Sequence, residues 1–227
     1  MKTALRTLGF LILLLSFSQS YAQIYRERHT GIGIKGGLNI SDFYGSGVMQ
    51  LAGDVGPSAN YIAGVFVSFP IRRRFAIQPE LYYSVKGTQR QGELIDSVND
   101  VTYQGTLKTR ISYMEIPVLV KIDLSTETGV LPNLFVGPVI SFMQSAKVML
   151  KGDRQLEVPI DENVRDIDAG LVIGGGADIP FGTGYLTTEA RLTLGLRSVD
   201  ASVQNLSARN YVFSFMLGFR FPLIRRF

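Results

Sequence analysis

The sequence of 227 residues contains no cysteine and a single histidine, His29. Without cysteine the chain cannot form disulfides, thiolate metal sites or cysteine nucleophiles. Histidine is the usual base for a serine nucleophile, and His29 lies just before the first strand-like segment, as is typical of a surface residue. The acidic pair Asp161-Glu162 lacks the regular oxygen-ligand spacing of a calcium loop. We therefore expect no catalytic residue, no cofactor and no metal site.

Charge and long apolar runs are also scarce. Charged residues form 19% of the chain, below the roughly 25% of a typical soluble domain. After residue 22 no apolar stretch approaches the length of about 20 residues that a transmembrane helix needs. If the chain crosses a membrane without such helices, it must do so as a closed β-barrel, because hydrocarbon offers no hydrogen bonds to an open strand edge.

The N-terminus has the three-part layout of a secretory signal peptide. Lys2 and Arg6 precede an apolar run of half the transmembrane length, and Ser20-Tyr21-Ala22 places small residues at the two positions that signal peptidase reads. We predict that residues 1–22 are cleaved and that residues 23–227 form the mature domain. Cleavage lowers the formal net charge from +4 by the two basic residues, to +2, which is too weak to indicate a nucleic-acid partner.

The mature sequence is organised in eight segments of alternating apolar and polar residues, the period of a half-buried strand. Pro117 and Pro138 fall inside two of them and predict a bulge or a strand end, since proline cannot donate to the ladder. The eight predicted strands run over residues 31–40, 61–69, 75–86, 113–121, 134–143, 167–179, 186–197 and 211–221.

The predicted connections alternate between long and short. Long ones (41–58, 87–108, 146–165 and 198–209) follow the odd-numbered strands, and short ones (70–74, 125–132 and 180–184) follow the even-numbered strands. Outer-membrane barrels have long extracellular loops, short periplasmic turns and both termini in the periplasm. The order of connections therefore favours such a barrel.

Alternation alone leaves open whether the apolar face points to lipid or, as in a lipocalin-like carrier, inward around a ligand. Glycines share the polar parity, which suits a narrow interior better than a wet surface: Gly33, Gly37, Gly64, Gly137, Gly174, Gly176, Gly195 and Gly218. Aromatic residues gather near both ends of the apolar face, like the girdles at lipid interfaces: Tyr61, Tyr83, Phe142 and Tyr211, then Phe69, Phe75 and Phe221. We predict an all-β, eight-stranded antiparallel up-and-down transmembrane β-barrel with a polar, filled interior, located in the cell outer membrane.

An apolar exterior brings the charges of the other parity together inside the barrel. They are Lys35, Lys86, Lys121, Arg191, Arg197 and Arg220, with Glu80, Glu115, Asp168, Asp178 and Glu189. Buried charges cost several kcal/mol each unless they are paired, and the signs nearly balance. We therefore expect a structural interior charge network containing Glu80, Glu115, Lys121, Glu189, Arg191 and Arg220. The alternative is a charged path for ions, although side chains generally fill the lumen of an eight-stranded barrel.

Three stretches resemble the PorT-like outer-membrane β-barrel proteins. They are residues 31–39 (GIGIKGGLN), 77–87 (IQPELYYSVKG) and 113–121 (YMEIPVLVK), with weaker echoes in residues 174–178 and 189–196. The resemblance covers most of the mature chain. It implies an outer-membrane antiparallel barrel in a Gram-negative cell and no particular chemistry.

These observations predict a non-enzymatic outer-membrane barrel with a structural or interaction role exerted through its extracellular loops. The expected partners are outer-membrane lipid, the barrel-assembly machinery, whose terminal signal the final Phe227 resembles, and proteins at the loops. Two alternatives remain: a narrow porin-like channel, and a periplasmic lipocalin-like carrier with the same strands turned inside out.

Overall fold

A computed structural model describes residues 29–44, 55–72, 74–96, 101–124, 129–152, 155–160, 166–196 and 209–223. The predicted signal peptide, Arg197 and Phe227 lie outside these ranges. The strands are β1 (Gly31–Tyr44), β2 (Val55–Arg72), β3 (Phe75–Asp96), β4 (Val101–Asp123), β5 (Leu131–Gly152), β6 (Gln155–Pro159), β7 (Ile167–Phe181), β8 (Gly184–Gly195) and β9 (Arg209–Pro222).

No helix among the described residues is long and apolar enough to cross a membrane.

Antiparallel pairing closes eight of the strands into a barrel. The order around the ring is β4-β3-β2-β1-β9-β8-β7-β5, and β4 pairs with β5 to complete it. The ninth strand, β6, lies outside the ring and extends a hairpin from the outer end of β5. The predicted fold class is confirmed, and β6 is an addition that the alternation did not reveal.

The two parities of the strands separate as an outer-membrane barrel requires. Apolar side chains of the predicted lipid face are exposed along every barrel strand, for example Ile34, Val65 and Phe213, whereas Lys35 and Glu80 are buried. The alternation in the third predicted strand also assigns Val85 to the lipid face, and this prediction is wrong, since Val85 is only 4% exposed. In β2 the inward parity includes the apolar residues Ile62 and Phe66, and both are buried, Ile62 in a cluster with Tyr82 and Met216.

Two of the predicted long loops are mostly strand. β3 continues to Asp96 and β4 begins at Val101, so the segment 87–108 is a hairpin rather than a loop. The segment 146–165 likewise contains the end of β5 and all of β6. Beyond the membrane no lipid covers the outer face, so the regular alternation from which the strands were predicted is no longer required, although Leu107 and Ala146 are still buried.

The strands pass through Pro117 and Pro138 without a bulge at either residue. The shift in register between β4 and β5 lies earlier, between Ser112 and Tyr113. Each residue of an antiparallel strand directs its N–H to only one neighbour, so a proline removes one hydrogen bond and leaves the other edge of its strand intact. The predicted bulge or strand end at these prolines is therefore wrong.

Candidate functional site

Four buried side chains form a closed ring of alternating charge in the middle of the barrel. Lys35 Nζ donates to Glu80 Oε1 at 3.0 Å and also pairs with Glu189. Arg191 donates to Glu80 Oε2 at 2.8 Å through Nη1 and to Glu189 Oε2 at 2.5 Å through Nη2. Each cation bridges both carboxylates. Because two cations meet two carboxylates, the ring has no net formal charge. We call these four residues the central quartet.

The central quartet spans the lumen. Glu80 lies on β3 and both Glu189 and Arg191 lie on β8, and these two strands are four steps apart in a ring of eight. They are therefore on opposite walls, and Lys35 reaches in from β1, midway between them. Gln78 adds a further donor, with Nε2 2.7 Å from Glu80 Oε1. Ion pairs that join opposite walls occupy the space through which a solute would have to pass.

Aromatic rings pack around the two cations of the quartet. Lys35 Nζ lies 4.1 Å from the centroid of the Phe66 ring. The guanidinium carbon of Arg191 lies between two rings, 5.3 Å from the centroid of Tyr82 and 5.4 Å from that of Phe135. Cations over ring faces gain electrostatic attraction when they are removed from water.

Glycine makes room for each of these rings. A Cβ at Gly33 would approach the Phe66 ring to 2.5 Å, and one at Gly174 would approach Phe135 to 2.7 Å. A Cβ at Gly64 would lie 2.5 Å from Tyr82 Cδ1 and 2.0 Å from the carbonyl oxygen of Leu81. Each glycine is the cross-strand partner of its ring residue, so small residues lie beside large ones in the narrow interior, as the glycine parity predicted.

Two smaller groups of charges lie above and below the quartet. Towards the end opposite the short turns, Lys86 pairs with Glu115, which also accepts a hydrogen bond from Ser141 Oγ at 3.2 Å. Towards the short turns, Asp178 Oδ2 accepts hydrogen bonds from Lys121 Nζ at 3.0 Å and from Arg220 Nη2 at 3.2 Å.

The six predicted interior residues therefore do not form one network. Glu80, Glu189 and Arg191 meet in the central quartet, Glu115 lies in the upper pair, and Lys121 and Arg220 share a lower carboxylate. All except Arg220, whose side chain is 12% exposed, are almost wholly buried.

The partners that complete each group were predicted to lie inside the barrel, although not among the six. Lys35, Lys86 and Asp178 carry the same inward parity and are paired with members of the six. The rings of Phe66, Tyr82 and Phe135 were missed as interior groups, although counting strict alternation along each strand places them inside. The alternation thus indicated these three rings, but they were not assigned to the interior because a polar interior was predicted.

The central quartet is suited to holding the barrel closed rather than to chemistry. Its carboxylates are occupied by two cations each, and its cations are occupied by two carboxylates each. A general acid or base must instead be within reach of a substrate proton.

Comparison with known proteins found one matching family and several solved structures of low sequence identity. The outer membrane protein beta-barrel domain family matches residues 17–201. Neisserial surface protein A is 13% identical with a TM-score of 0.44, covering 86% of this chain and 97% of that one. OprG from Pseudomonas aeruginosa is 12% identical with a TM-score of 0.45, covering 87% and 98%. AlkL, solved in DMPC lipid bilayers, is 13% identical with a TM-score of 0.43, covering 92% and 99%.

No curated protein sequence matches the chain. The family match covers most of its length, and the strand pairing independently forms the expected barrel. The chain therefore belongs to the outer membrane protein beta-barrel domain family and is an outer-membrane protein.

Proposed function

We propose that this protein is a non-enzymatic, non-conducting outer-membrane barrel that acts as an interaction component through the extracellular part of its sheet. The observation that supports closure is the central quartet, in which Arg191 on β8 and Glu80 on the opposite strand β3 are joined at 2.8 Å. A desolvated, paired cluster of this kind is costly to open, because separating its charges leaves them buried without partners.

Planar-bilayer recording tests closure and the rival porin-like channel. We expect no steady conductance from the purified wild-type protein, and the appearance of conductance steps in a Glu80→Ala, Arg191→Ala double variant, which removes the bridge across the lumen. A shift in gel mobility on heating shows that the variant is folded before it is recorded. Steady ion flow through the wild-type barrel would show that it is a channel.

The proposed interaction surface is a wall of strands on one side of the barrel. β3, β4 and β5 have 22, 23 and 22 residues, whereas β1, β8 and β9 have 14, 12 and 14. Crossing the membrane takes about 9–11 strand residues, and eight further residues add roughly 25 Å of strand. We call the outer ends of β3, β4 and β5, together with β6, the extracellular wall.

β6 gives this wall an exposed border. Glu157, Val158 and Pro159 are all exposed, and pairing of β6 within the described ranges involves β5 alone. A strand at the edge of a sheet offers backbone donors and acceptors to a partner. We infer that the partner is a protein that contacts this border.

Site-specific photocrosslinking in the native membrane tests the interaction role. A photoreactive residue at Val158 should give a protein adduct of one discrete mass, whereas the same residue at the exposed Thr183, in the short β7–β8 turn, should not give that adduct. The proposal would be wrong if both positions, or neither, produced it.

Export and lineage form part of the same proposal. We infer that the chain is secreted with cleavage after Ala22, is inserted by the barrel-assembly machinery, and belongs among the PorT-like members of its family. The charge and length of residues 1–22 and the three stretches of resemblance support this. N-terminal sequencing of the membrane-extracted protein should begin at Gln23.

A further inference from the structure

A β-bulge beside the β2–β3 turn changes the face on which an arginine lies. Up to Pro70, which pairs with Ala76, even-numbered residues of β2 point into the barrel. The register then shifts by one residue, and Arg72 pairs with Phe75. Directly opposed residues share a face, so Arg72 lies on the outer face beside Phe75 instead of continuing the inward parity. Redirecting a side chain is a known effect of bulges.

The redirected arginine lies at the edge of the lipid-facing band. Its neighbours Ile71 and Phe75 are 59% and 43% exposed, and the strands end here in the turn that contains Arg74. Arg72 and Arg74 are both exposed, and neither side chain has a hydrogen bond or ion pair with any other described residue. The carbonyl of Arg74 accepts a hydrogen bond from the backbone N–H of Asp123 at 2.9 Å, which ties the turn to β4.

Two guanidinium groups without a partner in the described part of the chain, beside an exposed ring at the membrane boundary, indicate a particular ligand chemistry. The stems of such arginines lie along apolar surface while their charged ends remain in the polar layer, where the phosphates of lipid headgroups lie. Guanidinium binds phosphate through paired N–H donors. We propose that Arg72 and Arg74 form a binding site for the phosphate of a membrane phospholipid on the side of the short turns.

The other described hairpin turn on this side differs in ways that argue against a uniform basic rim. The β7–β8 turn is formed by Gly182 and Thr183, follows the exposed ring of Phe181 and carries no charge. It therefore provides an apolar anchor without a partner for phosphate. The proposed site is local to the β2–β3 turn.

Native mass spectrometry of the detergent-solubilised full chain tests the site, with phosphatidylglycerol and a diacylglycerol of the same acyl chains as probes. We expect retention of phosphatidylglycerol over diacylglycerol. Each of Arg72→Gln and Arg74→Gln should reduce that retention about fivefold, and the double variant about 25-fold, as expected for one basic residue near a lipid surface. Arg72→Lys should lose less binding than Arg72→Gln but not match the wild type, because the positive charge remains while the paired N–H donors are lost.

Lys147→Gln is the matched control, since it removes one positive charge from the exposed extracellular wall. Retention should be unchanged in this variant, and every variant must keep the wild-type heat-shift pattern. An equal loss of phosphatidylglycerol retention in Lys147→Gln would show that binding depends on net charge alone. Undiminished retention in the double variant Arg72→Gln, Arg74→Gln would show that these arginines do not form the site. Displacement of the lipid by inorganic phosphate would identify a free-anion site instead. Any of these three results would overturn the proposal, and none depends on whether the barrel conducts.

Discussion

Ion pairs of similar length lie in two different regions of this protein. On the extracellular wall, Lys147 Nζ and Glu157 Oε1 are 2.6 Å apart, and their side chains are 48% and 52% exposed. In the central quartet, Arg191 Nη1 and Glu80 Oε2 are 2.8 Å apart with side-chain exposures of 2% and 0%. Water screens the first pair and is absent from the second, so the distance alone does not indicate what each pair contributes.

The membrane-crossing band, which contains the central quartet, and the extracellular wall also differ in their sequence patterns. In the membrane band lipid is outside and a narrow lumen inside, so each strand needs an alternating pattern and glycines beside large rings. On the extracellular wall no lipid covers the outer face, and exposed residues such as Lys147 lie beside buried ones such as Ala146 and Leu107. The membrane band is therefore sensitive to single substitutions, whereas the exposed positions of the wall can change more freely.

The largest effect is expected for Arg191→Leu. It leaves Glu80 and Glu189 buried with Lys35 as their one remaining cation, and should lower the free energy of unfolding by about 3–5 kcal/mol. Urea unfolding in lipid vesicles measures this, with the heat-shift gel as an independent readout. An unchanged heat-shift midpoint would contradict the structural role of the quartet.

A double variant separates the loss of the ion pair itself from the cost of leaving one of its charges buried without a partner. Glu80→Leu with Arg191→Leu leaves the neutral pair of Lys35 and Glu189. It should be less destabilising than the sum of the two single variants, by about 1–3 kcal/mol. Strict additivity would show that the four charges do not act as a unit.

An intermediate effect is expected for Gly64→Ala. The added Cβ would lie 2.0 Å from the Leu81 carbonyl oxygen and 2.5 Å from the Tyr82 ring, so the strands must shift, at a cost of about 1–3 kcal/mol. Gly56→Ala is the matched control outside the narrow lumen, since its Cβ would have its nearest neighbour 4.0 Å away. Urea midpoints for the two variants should differ clearly, and equal midpoints would mean that the interior is loosely packed.

The smallest effect is expected for Lys147→Ala. Its partner Glu157 is half exposed and stays hydrated when the lysine is removed, so the free energy of unfolding should change by less than about 1 kcal/mol. The same urea titration measures it. A loss comparable to that of Arg191→Leu would mean that the wall is desolvated in the membrane, for instance by a bound partner.

Much of the fold and part of the site could be predicted from local pattern. Alternation with period two identified eight barrel strands, and the inward parity contained every member of the central quartet. The strand ends were missed wherever a hairpin left the membrane, because the pattern depends on lipid. The bulge at Ile71 was missed because it is a property of how two strands pair.

By itself the sequence determined the membrane-crossing parts of the barrel strands and, with the exception of Val85, which of their residues face inward, because these follow from periodicity and local composition. The tertiary structure alone decided which charges meet. Arg191 and Glu80 are 111 residues apart, and they touch because eight strands close into a ring in which β3 and β8 are opposite. Closure and register are collective properties of the paired strands, so the three separate charge groups, the bulge at Ile71 and the one-sided wall arise only once the ring has formed.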